Sequence, residues 1–179
     1  MLYLFGFERI GVAVSDIYFV DPDPIPGQEG AERGVRLEIR RLEPGELKGS
    51  IYSARPITVD RPLWRIDLLE SVSGAPGSFD RTHHHPSIEG WEPGRRVFDE
   101  RLSAEPLTWL GERLADLESV LKEIGVDGSE VSSADVAGLR DRAPEIVETV
   151  GRLLDRVRSG DLGTPADAGS ATSVRASWL

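Results

Sequence analysis

The hydrophobic period of the chain changes near Arg101, and that change limits the folds open to it. Before it, Val35-Arg36-Leu37-Glu38-Ile39-Arg40 alternates apolar and charged residues without a break. A period of two describes a half-buried strand with one face on a core and a charged face in water. Trp64, Ile66 and Leu68 share a face in the same way, with Arg65 and Asp67 opposite. Met1 to Phe7 and Gly11 to Val20 are rich in aromatic and β-branched residues, and Pro56 and Pro62 each precede a strand-like run. After Arg101, Leu107, Leu110, Leu114, Leu117, Leu121 and Ile124 recur every three or four residues, one stripe of an amphipathic helix. Ser103 is its expected N-cap, and Gly125 ends it. A second helix is expected from Ser132 or Ser133. Pro144 is expected to open a third, with Ile146, Val150, Leu153 and Val157 on its apolar face.

A block of strands followed by a block of helices predicts the α+β class. The expected form is a mostly antiparallel N-terminal sheet or open barrel, covered by two or three C-terminal helices. Residues 1–160 read as one domain, strand-rich over 1–100 and helical over 101–160. From Ser159 the composition turns to Gly, Ala, Ser, Thr and Pro, which predicts a flexible tail over 161–179 in which Trp178 and Leu179 could still dock.

The formal net charge is −10 over 179 residues, shared evenly between the halves of the chain. Such a surface repels phosphate backbones and anionic lipid, so neither nucleic acid nor a membrane surface is an expected partner. A small-molecule ligand or another protein is. The N-terminal segment lacks a basic region and is broken by Glu8 and Arg9, which argues against a secretory signal and for a cytoplasmic protein. Cysteine is absent, which removes thiolate nucleophiles and thiolate metal sites together.

All three histidines lie in Asp80-Arg81-Thr82-His83-His84-His85-Pro86. Pro86 biases His85 towards an extended conformation, in which His83 and His85 point one way and His84 the other. Two imidazoles on one face with a nearby carboxylate suit one divalent transition metal such as Zn, Fe or Mn. Glu89 is the first candidate for the third ligand, followed by Asp80, Glu92 and Asp99. Open metal positions would then serve metal-assisted hydrolysis or lyase chemistry, with Asp80, Glu92 and His84 as candidate catalytic groups. Trp91, Arg95 and Arg96 follow in a loop rich in Gly and Pro, and are the candidates for holding a small anionic ligand. The bland reading of each residue is a turn, a plug or a surface ion pair.

The spacing Gly77-x5-His83-x-His85-x3-Glu89 resembles the first metal motif of cupins. A cupin would supply a further histidine from a later strand and would continue with strands. This chain has no other histidine, turns helical, and places Pro86 within the motif. The opposing reading of the whole chain is a non-catalytic interaction module, using the helical block or the strand at Val35 to Arg40 as a sheet edge.

Overall fold

The computed structural model describes residues 1–165 other than 25, 51 and 128; the rest of the expected tail, with Trp178 and Leu179, lies outside the described residues. Five antiparallel strands run in chain order across one open sheet: β1 (Leu2–Gly6), β2 (Ile10–Val20), β3 (Ala31–Pro44), β4 (Ile57–Ser71) and β5 (His83–His85). A two-stranded hairpin, β6 (Ile88–Glu89) and β7 (Glu92–Pro93), follows. The helices are α1 (Glu100–Ala104), α2 (Pro106–Ala115), α3 (Leu117–Glu123) and α4 (Ser133–Arg158). The class is α+β, with the sheet ahead of the helices.

Alternation selects the face that the helices cover. Val35, Leu37 and Ile39 of β3 lie beside Trp64, Ile66 and Leu68 of β4, and all are closed to solvent. Leu110, Leu114, Leu117, Ile146, Val150 and Leu153 complete this core from the helical side. Among the described residues, no helix is long and apolar enough to cross a membrane.

Four local expectations differ from the structure. The alternating strand at Val35 to Arg40 is central, paired on both sides by β2 and β4, so it offers no free edge. Ile57–Val59 and Leu63–Glu70 belong to the single strand β4, with Pro62 at an irregularity opposite Arg40, where the missing N–H is tolerated. The first helical stripe is broken into three pieces. Glu105 before Pro106 and Asp116 both leave helical geometry, and Asp99, not Ser103, caps the first piece. Pro144 opens nothing: it lies inside α4, which runs unbroken for 26 residues. Pro144 and Arg140 are both exposed, so the carbonyl freed one turn earlier faces water.

Two devices fasten the layers. Gly34 passes so close to β4 that a Cβ there would lie 1.9 Å from the Leu68 carbonyl oxygen, so only glycine fits. At the start of α4, Asp135 forms a capping box with Ser132 and also accepts the N–H groups of Glu8 and Arg9, both at 2.9 Å. One fully buried carboxylate thereby ties the β1–β2 turn to the longest helix. Asp135→Ala should cost about 3 kcal/mol, since a cap is lost and buried donors are orphaned; urea denaturation with an unchanged m-value would measure it.

Candidate metal centre

The sheet face turned away from the helices is not a solvated charged face. Glu38, Arg40 and Asp67 are all buried there. Asp67 stands on β4 directly opposite Arg36 of β3 on one side and His83 of β5 on the other. Arg36 donates from Nε to Asp67 Oδ1 at 2.6 Å and from Nη2 to Oδ2 at 3.2 Å. Burial alone would raise the Asp67 pKa, but Arg36, helped by the two neighbouring histidines, holds it well below the usual carboxylate range. Arg36 is raised in turn: its burial is outweighed by the same carboxylate.

The histidine tract is short but pinned along both edges. Its three residues pair with Arg65, Ile66 and Asp67, while His84 exchanges backbone hydrogen bonds with Val97 at 3.0 and 2.9 Å. Thr82 enters the strand with its hydroxyl donating to the Leu69 carbonyl at 3.1 Å. Strand alternation sends His83 and His85 to the Asp67 side. His84 goes into the core, where its ring centre lies 5.3 Å from that of Trp109.

His83 Nε2 and His85 Nε2 stand 3.5 and 3.6 Å from Asp67 Oδ2, and the three residues are at most 4% exposed. Each ring's other nitrogen faces a backbone carbonyl: Nδ1 of His83 is 2.7 Å from the Arg81 oxygen, and Nδ1 of His85 is 2.8 Å from the Gly94 oxygen. A carbonyl only accepts, so Nδ1 carries the proton in both rings. In a neutral ring Nε2 is then a bare lone pair. Burial, against the opposing pull of Asp67, pushes the His83 pKa down to about 4, so His83 is neutral at pH 7. The Nε2 atoms of His83 and His85, both on β5, thus converge on one oxygen of β4, at distances beyond the roughly 2.7–3.2 Å of an N–H···O bond. Ligand bonds of about 2.1 Å would place tetrahedral donors about 3.4 Å apart, close to what is seen. The group can hold a metal ion.

The other sequence candidates are elsewhere. Glu89 is exposed on β6 and takes no part in the group, so the carboxylate comes from a neighbouring strand and not from four residues downstream. Asp80 is exposed and accepts from Ser71 N and Ser78 Oγ, and Asp99 caps α1. Glu92 is exposed on β7, and His84 is committed to the core. Arg96 pairs with Asp21 and Gln28, and Arg95 is exposed. Trp91 is the exception: it lines a cleft of about 290 Å³ beside Arg36, with Arg40 stacked 5.2 Å from its ring centre. Asp67 and Arg36 escaped sequence reasoning because their strand pairing with the histidines is not written in any spacing. The usable signal was the alternation that put Asp67 on the outer face. Comparison with family models, curated proteins and solved structures finds no match, and the likeness to cupins stays confined to one motif.

Gly94 has a part in this geometry that no motif shows. Its N–H donates to the Ser87 carbonyl at 2.8 Å, and a Cβ there would lie 2.3 Å from Ser87 Oγ and 2.8 Å from its carbonyl oxygen. Gly94→Ala should therefore displace the carbonyl that orients His85. Zinc affinity, read by competition with a chromogenic chelator, should fall about tenfold while the fold is kept.

Proposed function

We propose that Asp67, His83 and His85 bind one divalent transition metal (Zn, Fe or Mn) and that the protein uses it on a small anionic molecule. The observation that carries this reading is the convergence of the His83 and His85 Nε2 atoms, each ring with its Nδ1 turned to a carbonyl, on an ionised, buried carboxylate. Both Nε2–oxygen distances exceed those of an N–H···O bond, and a metal ion between them would satisfy all three donor atoms. The donor set has two imidazole nitrogens and one carboxylate oxygen, which suits a transition metal better than calcium or magnesium. The Arg81 and Gly94 carbonyls and the Arg36 guanidinium supply the outer layer that fixes ligand tautomer and orientation.

Three protein ligands leave a metal position open, and a metal so held supplies a Lewis acid and an activated water. Phe98 leans over His83 at 5.4 Å between ring centres and is itself half exposed. Glu32, buried on the same sheet face with Oε2 unpartnered among the described residues, has its pKa raised chiefly by burial, against the pull of Arg96 and Arg81. Its burial favours the protonated, uncharged form.

Protein purified without chelator and passed through a desalting column should retain close to one equivalent of metal by elemental analysis. Asp67→Asn and His83→Ala should each abolish retention, whereas His84→Ala should keep it while losing stability through the vacated core space. Wild-type protein that neither retains a metal nor binds added zinc would end this reading. Acid should also release the ion, because protons compete for Nε2. The lowered His83 pKa makes that residue a poor competitor for protons, so release should occur below the ordinary imidazole range, in titrations followed by chelator absorbance.

A further inference from the structure

The cleft beside the Asp67 group is built differently on its two sides. Ala13 and Ile17 of β2, Leu2 of β1, and Pro62 and Trp91 give it an apolar side, and Ser15 and an Asp16 paired with the Met1 amino group line it too. Ala13 is small where it faces Glu38 across the strands, and this leaves the space open. Arg36, Arg40 and Arg65 give the other side, gathered around Glu38. Glu38 accepts from Arg40 Nη1 at 2.5 Å and from Arg65 Nε at 2.8 Å, and Arg65 Nη2 lies 2.7 Å away. Arg40 Nε donates to the Asp60 carbonyl, and Arg36 gives Nε and Nη2 to Asp67.

Among the described residues, each guanidinium therefore keeps one terminal nitrogen uncommitted: Nη1 of Arg36, Nη2 of Arg40 and Nη1 of Arg65. The three guanidinium charges also outnumber Glu38 and Asp67, the two carboxylates bonded to them, and Asp16, which lines the cleft as well, is paired with the Met1 amino group. From this we infer that the cleft is a binding site for a small monocarboxylate with an apolar body. The carboxylate meets the free guanidinium nitrogens, and the body lies against Trp91, Ile17 and Leu2. Glu38 in the middle of the arginines disfavours a dianion such as phosphate, and a cleft of about 290 Å³ is at the small end for organic ligands. Guanidinium groups fixed by buried partners lose little further freedom on binding.

Arg36 belongs both to the cleft and to Asp67. A bound carboxylate would draw its charge away from Asp67 and make that oxygen a better donor. Carboxylate and metal should then strengthen each other's binding equally. This last step rests on the proposed metal site; the cleft itself does not.

The test uses the full chain, treated with EDTA and labelled with ¹⁵N, titrated with 3-phenylpropionate. Saturable shifts of the Arg36, Arg40 and Arg65 Nε–H signals are expected, while 3-phenylpropanamide and inorganic phosphate should bind at least about tenfold more weakly. Arg65→Met should weaken binding about tenfold. Ala13→Phe should abolish it by filling the cleft with every charge in place, which decides the matter should Arg65→Met not fold. Equal binding of the amide, unchanged binding in Ala13→Phe, or no saturable shift would each overturn the assignment. Added zinc should tighten 3-phenylpropionate binding about threefold. Carboxylate binding in a protein that takes up no zinc would sustain the cleft and overturn the metal site, and zinc uptake without carboxylate binding would do the reverse.

Discussion

A carboxylate sealed from water yet ionised has to be surrounded by groups that tolerate its charge, and Asp67 is such a carboxylate. Arg36 supplies the compensating cation from one neighbouring strand, and the histidines approach from the other. Replacing Asp67 by an apolar residue would leave the half-buried Arg36 guanidinium without its carboxylate partner. The outer sheet face is thus a set of mutually dependent charges, with Glu38, Arg40 and Arg65 forming a second group next to the first.

The architecture was largely legible because it depends on periodicity. A run such as Val35 to Arg40 can bury Val35, Leu37 and Ile39 in only one way, and the stripe from Leu110 to Leu117 can meet it from only one side. The helix limits were less legible because they depend on context. Pro144 reads as a start in isolation, yet it continues a helix in which the carbonyl freed one turn earlier, at the exposed Arg140, can turn to water.

The site was half legible, for a related reason. Alternation within His83-His84-His85 is a local property, and it correctly separated the middle ring from the outer two. The partner carboxylate is a matter of register between strands, and register is decided by the whole sheet. Glu89 was favoured for its spacing, but Pro86 ends the strand and the chain turns away into β6 and β7 before Glu89 can face the histidines. The charged side of β3 was expected to lie in water because alternation cannot show what lies above it.

The β4–β5 connection bears on how the site assembles as the chain folds. Asp67, His83 and His85 belong to two strands adjacent in sequence, joined by one turn region, and none of the three comes from the helices. Closing so short a loop costs little chain entropy. The three side chains can therefore meet in a nascent hairpin before the helical layer docks, and a cation captured at that stage would hold the register of β5 while the remaining structure forms. The partner that arrives from outside this hairpin is Arg36 of β3, so the charge balance of the site would be completed only as the central strands join.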